Sequence, residues 1–150
     1  MKPNEVPTEE DWGDDQDEDV QYARELFGGK TQDEVLHYFE ENPIDRADEL
    51  QRIPATPFRY YMMAYCKYIT NPEAVTKDPY DYKSDAASCF LSTVIYKLEH
   101  QAPDIMPILP QLMPTIEYVA SHQELFEAPE SIYGNFPEKL EEIRRLAGKA

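Results

Sequence analysis

Thr56-Pro57-Phe58-Arg59-Tyr60-Tyr61-Met62-Met63-Ala64-Tyr65-Cys66-Lys67-Tyr68-Ile69 is the stretch that decides the fold class. Phe58, Tyr61, Met62, Tyr65, Tyr68 and Ile69 recur at three- and four-residue spacing, the repeat of one α-helix face. Thr56 suits an N-cap, and Pro57 suits the first helical position, where no amide donor is needed. Charge is confined to Arg59 and Lys67, which form one narrow stripe with Met63. A helix this apolar around its circumference needs neighbours on most sides, so it is expected at the centre of the fold.

Downstream, Asn71-Pro72 ends this helix and a polar connection runs to about Lys83. Ser84-Asp85 is expected to cap a second core helix, Ala86 to about Gln101, with Phe90, Leu91, Val94, Ile95 and Leu98 inward. The two helices are expected to be antiparallel neighbours. Pro103, Pro107, Pro110 and Pro114 then punctuate a dense aliphatic run. The spacing predicts a short helix to about Ile108 and a second with Pro110 in its first turn. Pro114 lies too deep for that turn unless the helix kinks or restarts. Large aliphatics at this density argue for core rather than for a polyproline ligand. In the last helix Asn135 is the cap, Pro137 lies near the start, and Gly148 is expected just past the end. Phe136, Leu140, Ile143 and Leu146 face the body.

Upstream, a helix from about Asp17 to Phe27 turns Val20, Ala23, Leu26 and Phe27 inward and stops at Gly28-Gly29. Thr31 with Glu34 forms a capping box for the next helix, whose apolar side is Val35, Leu36 and Phe39. That helix ends near Asn42-Pro43. Pro43 to Arg52 reads as a short helix with Ile44, Ala47, Leu50 and Ile53 inward. Asp45, Asp48 and Glu49 are expected outward, in weak solvated pairs with Arg46 and Arg52. No strand-length alternation appears. The expected class is all-α: a compact single-domain bundle of six to eight helices over residues 17–150.

Residues 1–16 are expected to be a disordered acidic tail. From Met1 to Asp19 there are nine acidic residues and one lysine, too polar a segment to offset the entropy of ordering. Trp12, the one tryptophan of the chain, is expected to be loosely held. The carboxylates from Asp15 to Asp19 fail as a calcium loop, because Val20 and Leu26 stand where glycine and a bidentate glutamate are needed.

The 150 residues are 41% hydrophobic, enough to bury a sizeable core. Thirty acidic residues against 14 basic ones leave a formal charge of -16, which repels nucleic acid and anionic membrane surfaces and attracts basic partners. No stretch has the length of a membrane span, and the N-terminus is too acidic for a signal peptide. Cytoplasm is the expected location. Cys66 and Cys89 are expected as buried free thiols rather than a bridge.

Catalytic motifs are missing: there is no phosphate-cradling glycine loop, zinc ligand set or nucleophile elbow. Glu34-Val35-Leu36-His37 matches one half of a di-iron motif, but His100 and His122 are preceded by Lys97 and Val119 at the position where a second copy needs glutamate. The expectation is no enzyme, no cofactor and no metal.

Two acidic-aromatic connections remain. Asp78, Tyr80, Asp81 and Tyr82 precede Asp85 at a helix start, and Glu127, Glu130 and Tyr133 lie in the second. Tyrosine supplies contact area at low entropic cost and carboxylates supply a steering field, so these residues are the candidate partner-binding set. In size, charge and class the chain resembles bacterial immunity proteins that neutralise basic toxins, a resemblance that covers no motif and transfers no residues. It implies an inhibitor of a basic protein partner. The competing expectation is a helical accessory or assembly domain whose partner is not chosen by charge. The sequence leaves the oligomeric state open.

Overall fold

In a computed structural model, residues 5–76 and 81–150 are described, and among them every regular element is helical. In chain order these are α1 (Glu9–Trp12), α2 (Glu18–Phe27), α3 (Gln32–Glu41), α4 (Pro43–Arg52), α5 (Ala55–Ile69) and α6 (Pro72–Thr76). There follow α7 (Lys83–His100), α8 (Ala102–Ile105), a 3-10 turn (Met106–Ile108), α9 (Leu109–Ser121), α10 (Glu130–Tyr133) and α11 (Phe136–Lys149). The class is all-α. Seven helices have ten or more residues, and the single-turn segments take the total above the expected six to eight.

The central helix is α5, with ten of its fifteen residues buried. Its hydroxyls serve its neighbours. The single Tyr61 hydroxyl proton is shared between the carbonyls of Phe27 (2.6 Å) and Lys30 (2.8 Å), at the end of α2 and in the turn after it. Tyr65 donates to the Ala86 carbonyl at 2.6 Å, and its ring lies 4.9 Å from Phe39 and 5.1 Å from Phe90. Arg59 donates to the carbonyls of Asp104 and Pro103, fixing the proline-rich segment. Lys97 of α7 is fully buried, with Nζ 4.3 Å from the Phe58 ring centre and bonded to Gln101. Burial pushes its ammonium below the ordinary lysine value, and Asp104 at 3.4 Å opposes the shift.

Several local expectations need correction. Helix α5 starts at Ala55 after Pro54, so Thr56 is inside the first turn rather than capping it. Helix α7 starts at Lys83, ahead of Ser84-Asp85. Gly148 lies inside α11, which runs to Lys149. Helix α9 continues through Pro114, with Pro110 in its first turn. The expected pairing of α5 with α7 is narrow: α5 packs mainly on α3, while α7 packs mainly on α4 and α11. Val35, Phe39 and Leu50, all fully buried, give α3 and α4 the apolar faces that take those places.

At the N-terminus the correction concerns Trp12, which was expected to be loosely held and is instead buried. Residues 1–4 lie outside the described residues, but residues 5–16 are placed and Trp12 is only 2% exposed. Thr8 and Asp11 form a reciprocal capping box for α1, Arg24 donates to the Gly13 carbonyl at 2.9 Å, and Trp12 sits 6.3 Å from the Tyr61 ring. One large aromatic offsets the ordering of a short polar segment.

In α4 the buried face is rotated from the expected one. Ile44 is 47% exposed, whereas Arg46 and Glu49, expected in solvent, are buried. Their side chains form a two-point pair, Arg46 Nη2 to Glu49 Oε2 at 2.9 Å with Nε bonded to Oε1. Burial lifts the Glu49 carboxyl above the ordinary range, and Arg46 pulls against that lift.

Candidate functional site

The two acidic-aromatic connections, 48 residues apart, meet at the start of α7. Asp78 and Tyr80 lie outside the described residues. Of the rest, Asp81 and Glu127 are exposed and Tyr82, Asp85 and Tyr133 are half-buried. Asp81 and Glu127 are the two non-glycine residues among the described ones with positive φ, at 58° and 52°. That region is uncommon for residues other than glycine, and aspartate enters it more readily than glutamate. Both pair with Lys83: Asp81 Oδ1 is 3.3 Å from Nζ, and Glu127 Oε2 is in direct contact with it. The hydrogen bond to Glu127 raises the Lys83 ammonium above its ordinary value.

Two residues after Lys83, Asp85 Oδ1 accepts from the Tyr133 hydroxyl at 3.0 Å. The single proton of that hydroxyl is then used, so Ser84 Oγ at 3.1 Å donates to the Tyr133 oxygen. Tyr133 is therefore a strut between the connections. Tyr82 stands at the N-cap of α7, beside this strut.

Gln123, which the sequence reading passed over, organises the second connection. Its Nε2 donates to the carbonyls of Ala128 (2.8 Å) and Gly134 (2.7 Å), and its Oε1 accepts from Phe136 N at 2.9 Å. Gly134 at φ 78° lets the chain turn from α10 into α11. Asn135 caps α11 through Glu138 N at 2.8 Å and bonds Glu130 with its amide nitrogen. The signal for Gln123 was weak: a lone glutamine in a loop resembles any polar surface residue.

Other reactive groups do not gather into a site. Burial pushes the Cys66 thiol up to about 12 and the Cys89 thiol up to about 11, so neither is a thiolate at neutral pH. His37, His100 and His122 are exposed, and His122 Nδ1 is 2.7 Å from the Tyr118 carbonyl oxygen. Among the described residues no three His, Cys, Asp or Glu side chains are grouped to hold a metal ion, and no helix is long and apolar enough to cross a membrane.

The buried thiols set an alkaline limit. The folded chain keeps both protons well above the ordinary thiol value of 9.0, where the unfolded chain loses them. Above about pH 9 the native state binds more protons than the unfolded one, so stability falls as pH rises. Tyr65, raised well above its ordinary value by burial, adds to the fall, while depressed Lys97 works against it. Urea unfolding across pH 8 to 10.5 should show the decline, and Cys66→Ala should flatten it; a rise in stability over that range would mean Lys97 dominates.

Comparison with protein families, with curated proteins and with solved structures finds no match to this chain.

Proposed function

We propose that this chain is a binding protein that masks a basic surface of a partner protein, as an inhibitor or immunity protein does, and that it works in the cytoplasm. The observation that supports the reading is the junction at α7: two acidic connections, distant in sequence, tied into one face by Lys83, Asp85 and Tyr133. Carboxylates held before encounter raise the association rate and lose little entropy on binding. Two free thiols accord with a reducing compartment.

The test separates recognition from folding. An immobilised chain should retain a basic protein from its native host and release it as salt screens the acidic face. With that partner, Tyr82→Ala should cost about 2 kcal/mol or more of affinity with little change in stability. Asp81→Asn should mainly slow association, by less at high salt. Tyr133→Phe should do the opposite, lowering stability by about 1 kcal/mol through the lost bonds to Asp85 and Ser84. Recovery of no basic partner, or loss of stability alone in Tyr82→Ala, sinks the proposal.

A further inference from the structure

We infer that the groove between the end of α9, α10 and the start of α11 seats an arginine- or lysine-bearing segment of the basic partner, with Ile132 covered in the same contact. The inference rests on the reading above and assigns it one place. The groove holds about 840 Å³, and its lining includes the apolar Leu125, Pro129 and Pro137 together with the carboxylates of Glu124, Glu127 and Glu130. No lysine or arginine is among its lining residues. Arginine and lysine suit a lining of both kinds, with an aliphatic stem that packs on apolar surface and a cationic head that seeks carboxylates.

Glu130 is positioned by Asn135 before any partner arrives, while Glu127 is already paired with Lys83, so Glu124 and Glu130 are the carboxylates that meet the cationic head. Ile132 is 72% exposed, more than any other large hydrophobic side chain among the described residues. A lone exposed isoleucine is ordinary on a protein surface, so its weight comes from position. Helix α10 is a single turn of four residues, about 6 Å long. Ile132 does not line the groove, but it is two positions from Glu130 on the same turn, within the span of a partner that covers roughly 800 Å². A second copy of the chain is the poorer occupant, because two bodies of charge -16 repel each other.

Titrating the ¹⁵N-labelled full chain with hexa-arginine amide at low salt tests the placement. The largest amide shifts should fall within residues 122–137. Glu124→Gln with Glu130→Gln should weaken binding about fivefold, whereas removing the same charge from α1 with Glu9→Gln and Glu10→Gln should change it less than about twofold. A peptide alternating leucine and arginine should lose about threefold on Ile132→Ser, and hexa-arginine should not. Equal weakening by both pairs of glutamate substitutions, or shifts centred on residues 9–19, means that binding follows net charge; the groove is then wrong while a basic partner stands. Absence of any salt-dependent binding removes the groove and the basic-partner reading together. Sedimentation showing a dimer that Ile132→Asp dissolves would assign the face to self-association and overturn the inference.

Discussion

Trp12→Ala should lower the unfolding free energy by about 3–5 kcal/mol, the usual cost of emptying a large aromatic site in a core. For a chain of 150 residues that is a fall in melting temperature on the order of 10 °C. The effect is large because Trp12 is the buried link between the acidic N-terminal segment and Tyr61 of the central helix. Trp12→Phe is the informative companion. The indole Nε1–H is buried without an acceptor among the described residues, so phenylalanine removes a donor that already costs the fold. Its cost should stay under about 1.5 kcal/mol. Thermal melts of both variants check this, and the sole tryptophan gives a second readout, since its emission should be blue-shifted in the native chain. An unchanged melting temperature in Trp12→Ala would return residues 5–16 to the status of a dispensable tail.

The second large effect belongs to α4. Glu49→Ala should cost about 3–5 kcal/mol, because it leaves the Arg46 guanidinium buried without its carboxylate. Replacing both partners, Arg46→Met with Glu49→Leu, should stay within about 1 kcal/mol of the parent, since well-packed apolar residues avoid the desolvation penalty altogether. Chemical denaturation of the single and double variants decides the matter. If Glu49→Ala is as mild as a surface substitution, water reaches the pair and the rotated face of α4 is wrong.

These two sites also mark where sequence reasoning failed. The core of α5 was legible because Phe58, Tyr61, Met62, Tyr65, Tyr68 and Ile69 repeat at helical spacing, and all six are buried. The Thr31–Glu34 capping box was legible for the same local reason. Thr8–Asp11 has the same spacing, with Trp12 next to it, yet the surrounding carboxylates outweighed that signal. Arg46 and Glu49 fail differently. Charges three residues apart look the same on a solvated face and on a covered one, and only the packing of α7, α2 and α3 over α4 distinguishes them. At the candidate site the residue types were legible. The tie from Tyr133 to Asp85 was not, because it joins positions 48 residues apart and no local pattern encodes it.

Hydrogen exchange on the chain, free and bound to the basic partner recovered from its host, tests the central claim most directly. Binding should slow exchange in two separated stretches at once, 81–85 and 122–135, and leave residues 9–19 unchanged despite their carboxylates. Protection confined to 9–19, or in only one of the two connections, would contradict it.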